Sequence, residues 1–328
     1  MPCFSCITVA YLLCVASSKS HAEKVPRGED RQNIMFGLNA NVIEIDMRFE
    51  GLTQLPNASL LNPRTKVLLL AANNISSTTS ELRTLASLEV LNVSRNRLRS
   101  LRFLPEPCSL RVLDASENVI ADLTGPLQTC TELELLNLTR NEVSSLDGEL
   151  LARTASLKSL YLSYNKLRSV SRDAFATLSQ LEDLYLNGNE LRELPDGLFR
   201  GLHALKRLWM NGNRLSALPL LDACCAHLKW ALFNNNAIAT PSAAALRALM
   251  ASDAGVNVGL YNNPIRPAAL RWVLAARDVE RVVDEANCAC GRLRRASATV
   301  YICVATACGV GADVDDWVVA VREAAAAV

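Results

Sequence analysis

Four late cysteines stand first among the residues that could do chemistry. Cys288, Cys290, Cys303 and Cys308 follow the spacing C-x-C-x12-C-x4-C. Four thiolates can close a tetrahedral zinc site. This spacing is not the usual pair of C-x-x-C knuckles, and the alternative is disulfide chemistry. The three histidines, His21, His203 and His227, are scattered, and no nucleophile–base–acid set or carboxylate pair accompanies them. GVGAD at Gly309 is a lone G-x-G without the fingerprint of a nucleotide site. The sequence therefore offers no metal site, no cofactor and no catalytic residue, and it reads as a binding protein rather than an enzyme.

The compartment decides between zinc and disulfides. Residues 1–22 contain the uncharged, mostly apolar run Ile7 to Ala16, followed by small and polar residues. That is the pattern of a secretory signal peptide cut after Ala16 or Ala22, although no Lys or Arg precedes the run. Ten residues are too few to span a bilayer. Removing Cys3, Cys6 and Cys14 from the 11 cysteines leaves eight, the late four plus Cys108, Cys130, Cys224 and Cys225. An even number suits an oxidising compartment and favours disulfides. Sequons at Asn57, Asn74, Asn92 and Asn137 agree with a secreted glycoprotein. Lys+Arg (34) and Asp+Glu (33) nearly cancel, which gives no electrostatic case for a nucleic-acid partner. The uncharged run Ala296 to Ala312 is diluted by Thr, Ser, Tyr and two Gly, and its arginine and aspartate flanks oppose the positive-inside rule. It reads as the core of a cap, not as a membrane span.

The elements that must position everything else come from a repeat. LEDLYLNGNEL from Leu181 returns as LKRLWMNGNRL 24 positions later. Aligned on L-x-x-L-x-L-x-x-N, asparagines recur at 73, 96, 118, 141, 165, 189, 213, 236 and 263. In L-x-x-L-x-L alternate residues point to one side of a short strand. One such unit cannot bury its apolar face, so neighbours must stack into a solenoid. The Asn closes each strand by bonding backbone of adjacent turns, which needs no active-site role. Phe175 and Phe199 recur at one offset and should fill the interior from the convex side. Cys108 and Cys130 lie 22 apart, just before Leu110 and Leu133. Stacked strands are about 4.8 Å apart, within the roughly 4.4–6.8 Å Cα separation of a disulfide. A Cys108–Cys130 bridge is expected, with two buried thiols as the alternative.

With LEVLNVSRNRL, LELLNLTRNEV and LKSLYLSYNKL added, the chain resembles the leucine-rich repeat family. Its 24-residue units are similar to those of extracellular proteins such as Toll-like receptors and Slit. The resemblance implies an α/β solenoid: a right-handed horseshoe with a parallel β-sheet on its concave face and a cap at each end. Residues 65–264 make nine units. Residues 23–64 form a flexible lead and an N-terminal cap, whose run from Val42 must be held by strand pairing because the family's usual cysteines are missing. Residues 265–328 form a helical, cysteine-containing C-terminal cap, with Pro267 opening a helix. The order of Cys288, Cys290, Cys303 and Cys308 is similar to the family's C-terminal cap, which implies disulfides of open connectivity.

The varying outward positions carry the function. One column reads Leu69, Asn92, Asp114, Asn137, Tyr161, Tyr185, Trp209, Leu232 and Gly259, and its neighbour ends Ser159, Asp183, Arg207, Trp230, Asn257. Tyr164 and Tyr261 flank them. Aromatic residues with an Arg are the types enriched at protein interfaces. The bland alternative is that aromatics suit strands and pack on one another. Glycans on Asn92 and Asn137 would obstruct the N-terminal half. The expected contact surface is therefore Tyr161, Tyr164, Asp183, Tyr185, Arg207, Trp209, Trp230, Leu232 and Tyr261. The resemblance implies a protein or peptide ligand there. An intracellular scaffold is the alternative if the N-terminal run is not a signal, and oligomeric state is not readable.

Overall fold

The computed structural model describes residues 23–24, 44–58, 61–76, 82–221, 226–250, 256–260, 262–265, 279–283, 289–295 and 298–303. Its strands in chain order are β1 (Glu23–Lys24), β2 (Glu44–Asp46), β3 (Val67–Leu69), β4 (Val90–Asn92), β5 (Val112–Asp114), β6 (Leu135–Asn137), β7 (Ser145–Leu146) and β8 (Ser159–Tyr161). There follow β9 (Ser169–Val170), β10 (Asp183–Tyr185), β11 (Arg207–Trp209), β12 (Trp230–Leu232), β13 (Asn257–Gly259), β14 (Val279–Val283), β15 (Ala289–Arg295) and β16 (Ala298–Cys303). The nine repeat strands lie side by side in sequence order within a 14-stranded sheet. Each pairs in parallel, and equivalent residues of neighbouring units face each other, as with Leu136, Leu160 and Leu184.

The central residue of each repeat strand points inward. Leu68, Leu91, Leu113, Leu136, Leu160, Leu184, Leu208, Ala231 and Val258 are essentially solvent-free. Leu–x–Leu alternation with a period of two leaves the flanking strand residues on the concave face. The convex side fills the interior with Phe103, Phe175 and Phe199, and Phe233 joins them from the strand side, each burial of this kind stabilising by roughly 1.5–3 kcal/mol. The convex connections are mostly turns. The short pair β7–β9 lies outside the main sheet, and the only α-helix among the described residues is α1 (Ala243–Met250). The solenoid is thus poorer in helix than an α/β label implies, because units of 22 to 24 residues leave little chain to wind one.

The asparagine ladder locks the turns together. Asn165 Nδ2 donates to Leu162 O of its own unit at 3.1 Å and to Leu138 O of the preceding unit at 2.8 Å. Its Oδ1 accepts Val143 N–H at 3.0 Å. Asn96, Asn118, Asn141, Asn189, Asn213, Asn236 and Asn263 repeat this pattern. The residue before each Asn takes a left-handed backbone, with φ between 53° and 58° at Ala72, Arg95, Glu117, Arg140, Tyr164, Asn235 and Asn262. Such a turn costs a side-chain-bearing residue about 1–2 kcal/mol. Glycine stands there only at Gly188 and Gly212. At Gly188 a Cβ would meet the Tyr164 ring at 2.6 Å, so the close approach of that ring also requires Gly.

Both ends extend the sheet. β2 pairs with β3 in the register of the repeats, and β1 pairs with β2, so strand pairing covers the first turn. At the far end β16 continues the sheet in parallel beside β13, and β15 and β14 add antiparallel strands. The expected helical cap is therefore corrected where the chain is described: 279–283, 289–295 and 298–303 are strands. The β-branched pattern VERVV and ATVYIC accounts for this. The helix expected from Pro267, and Cys224, Cys225, Cys288 and Cys308, lie outside the described residues. Cys290 and Cys303 are directly opposite in the β15–β16 ladder.

Candidate functional site: the concave face

The concave face changes character along the solenoid. Over the first units one outward column is an apolar stripe in which Val90, Val112 and Leu135 bury one another, with Val67 and Tyr161 packed at its ends. Beside it, Asn92, Asp114 and Asn137 turn their side chains back on their own backbone. Asn92 Oδ1 accepts Ser94 N–H at 3.0 Å, Asp114 Oδ1 accepts Ser116 N–H at 3.1 Å, and Asn137 Oδ1 accepts Thr139 N–H at 3.0 Å. Burial pushes the Asp114 carboxyl up, against the lowering effect of the Ser116 hydroxyl and N–H.

From Tyr161 onward the face is aromatic. Tyr161 and Tyr185 stack with ring centroids 4.7 Å apart, and Trp209 tilts onto Tyr185 at 5.0 Å. Burial raises the phenol pKa of both tyrosines, with the Asp183 carboxylate adding to it. Asp183 holds Arg207 through Nε and, at 2.7 Å, through Nη2. That doubled contact raises the Arg207 pKa further and fixes its fork. Asp183 also accepts the Ser159 hydroxyl at 3.3 Å.

Exposure divides the expected contact residues. Tyr185 is only 4 % exposed and Asp183 5 %; both point outward from the sheet, yet their neighbours cover them. They support the surface instead of forming it. Trp230 is 46 % exposed and Arg207 is also open to solvent. Tyr161, Trp209 and Leu232 are half-buried between these. Trp230 and Arg207 are register partners, as are Leu232 and Trp209, which makes one continuous patch. Tyr164 stands apart on the rim, 53 % exposed, with the Arg140 guanidinium 5.4 Å from its ring centroid. Tyr261 lies outside the described residues.

The sequons divide in the same way. Asn57 and Asn74 are exposed in connecting segments. Asn137 is only 6 % exposed and its carboxamide is engaged in the turn just described, so a glycan does not fit there without opening the strand end. Asn92 is half-buried in the same arrangement. Cys108 and Cys130 are joined by a disulfide with Cα atoms 4.7 Å apart. It ties two successive units near the convex turns, away from the aromatic patch.

One feature of the face went unread in the sequence. The residues leading into successive strands alternate in sign: Lys66, Glu89, Arg111, Glu134, Lys158, Glu182, Lys206. They pair as Lys66–Glu89 at 2.6 Å, Arg111–Glu134, Lys158–Glu134 at 2.7 Å and Lys206–Glu182 at 2.8 Å. The Lys158 ammonium, followed by Arg111, holds the Glu134 carboxyl below its usual range. The signal was available as a column of alternating charge at one repeat offset. Among the described residues no group of three His, Cys, Asp or Glu clusters as metal ligands, and no helix is long and apolar enough to cross a membrane.

Comparisons with known proteins accord with this architecture. A leucine rich repeat family model matches residues 131–191 and 155–215. No curated protein matches the chain. A chain of the TLR13–ssRNA13 complex superposes with a TM-score of 0.52 at 23 % identity, over 68 % of this chain and 32 % of that one. This protein therefore spans about a third of that chain's length. A chain of the octameric complex of Latrophilin 3, Unc5D and the FLRT2 leucine-rich-repeat region gives a TM-score of 0.47 at 22 % identity, covering 69 % of this chain and 83 % of that one. In all, 416 solved chains match, so the fold is widespread and does not name a partner.

Proposed function

We propose that this chain, whose residues 131–191 and 155–215 match a leucine rich repeat family model, is a secreted, non-enzymatic recognition module that binds a protein or peptide on the C-terminal half of its concave face. One observation carries the reading. Along the described repeat strands the outward residues are buried or half-buried until β11 and β12, where Arg207 and Trp230 are exposed beside half-buried Trp209 and Leu232. An exposed Trp beside an orientated Arg, on a rigid sheet, is the make-up of an interface hot spot. Asp183 holds Arg207 and the Tyr161–Tyr185 stack backs Trp209, and Tyr164 supplies a second contact on the rim. The signal-like N-terminus, the sequons at Asn57 and Asn74 and the Cys108–Cys130 bridge support an extracellular site of action.

The test is a screen of the secreted protein against arrayed extracellular proteins, repeated with an Arg207→Ala/Trp230→Ala variant. A partner that binds the parent and loses at least about tenfold in affinity to the variant is the expected outcome, since hot-spot truncations cost about 2 kcal/mol or more. Partners that bind both alike would reject the concave patch. A product retained in the cell, with its N-terminus intact, would reject the secreted reading.

A further inference from the structure

We propose that the recess lined by Arg168, Glu190, Arg192 and Arg214, on the flank of the solenoid away from the concave patch, is a binding site for a sulfated sugar chain. The recess holds about 270 Å³. Its residues come from three successive turns and stand at fixed offsets from the asparagine ladder. Glu190 and Arg214 directly follow Asn189 and Asn213, while Arg168 and Arg192 fall three places after Asn165 and Asn189. Stacked turns are about 5 Å apart, so the solenoid lays its guanidiniums out in a row. Glu190 Oε2 accepts Arg168 Nε–H at 3.2 Å and lies 4.0 Å from Arg214 Nη2. The Arg192 guanidinium has no ion-pair partner among the described residues. Three cations thus face one carboxylate. The next pair along the flank, Lys166 with Glu142 at 3.0 Å, is balanced and does not offset the excess.

The mixture of groups selects the ligand class. Guanidinium forks match the oxygens of a sulfate ester. Glu190, an acceptor only, would repel a ligand that carries nothing but anionic groups, yet it can accept from a sugar hydroxyl. A chain that alternates hydroxyls with sulfates satisfies both. A single-stranded nucleic acid would instead call for aromatic faces among the cations, and none lines the recess. Arg168 and Arg214 are more than half exposed. Binding here therefore gains from repeated charges along a chain and is salt-sensitive, in contrast to burial of one isolated anion.

Heparin is the probe, immobilised and titrated with the full chain across a salt series. The parent is expected to bind it. Arg192→Gln should weaken binding about fivefold, the worth of one exposed ionic contact, and flatten the salt slope by about one. Arg192→Lys should retain part of the affinity. Arg153→Gln, an exposed arginine on a convex turn, should leave affinity unchanged, and unsulfated hyaluronan, poly(dT) and inorganic sulfate should bind far more weakly than heparin. The proposal is overturned if heparin does not bind, if Arg192→Gln has no effect or Arg153→Gln an equal one, or if hyaluronan, poly(dT) or sulfate alone matches heparin. A thermal melt of each variant separates lost contact from lost fold. This site shares no residue with the concave patch, so either can fail alone.

Discussion

Replacing Tyr185 by Ala should destabilise the solenoid by about 3 kcal/mol, whereas replacing Trp230 by Ala should change stability by no more than about 0.5 kcal/mol. Both are aromatic residues on neighbouring outward columns of one sheet, and sequence alone treats them alike. The structure separates them. Tyr185 is the middle member of a three-ring stack, in contact with Tyr161 and Trp209. Large buried aromatics cost about 3–5 kcal/mol when cut to Ala, and each lost aromatic pair removes roughly 0.5–1.5 kcal/mol beyond buried area. The face opens to water, so solvent fills the vacated volume and the cavity contribution shrinks; the lower end of the range applies. Trp230 leaves nearly half its surface in solvent, and no ring stacks on it among the described residues. Urea unfolding followed by circular dichroism measures both, with Tyr185→Phe as the variant that keeps the ring. Equal destabilisation by Tyr185→Ala and Trp230→Ala, or none from Tyr185→Ala, would refute the division into supporting and contacting aromatics.

Two further outcomes follow from the outward columns. Asp114→Asn should stabilise the protein at neutral pH, because burial raises the folded-state carboxyl pKa above its ordinary 3.8. In the parent, stability falls as pH rises from the ordinary value through the raised one; the variant should lose that slope, since Asn accepts the same two bonds as Asn92. The variant creates the sequon Asn-Ala-Ser and must be made in a non-glycosylating host; an unchanged urea midpoint and pH slope would count against buried charge at Asp114. Intact and peptide mass of the secreted product should show glycan at Asn57 and Asn74 but not at Asn137, and glycan on Asn137 in the folded protein would contradict its buried turn.

Much of the fold was legible because one period of about 23 residues imposes itself on every unit. Leu at alternate strand positions and Asn at the strand end have single physical roles, and each was readable from type and spacing. The Cys108–Cys130 juxtaposition followed from the same register. The state of the outward residues was not legible in that way. Whether Tyr185 is open depends on the rings one turn to either side, and whether Asn137 is free depends on a local bond to Thr139 N–H. Neither is encoded in the period. The glycines at 188 and 212 were visible as letters, but their purpose, a left-handed turn and room for Tyr164, needed coordinates. The strands Val279–Val283, Ala289–Arg295 and Ala298–Cys303 were not legible because the arginines and small residues there suit either a helix or an extended chain, and the last repeat strand, β13, offered its open edge for them to continue.

The most direct measurement is oxidative footprinting of the four tryptophans and the tyrosines in the free protein and in complex with a partner from the screen. Trp230 should lose most of its reactivity on binding and Trp209 part of it, while Tyr185 should be unreactive in both states. Protection that leaves Trp230 unchanged and falls on the convex turns would contradict concave-face recognition.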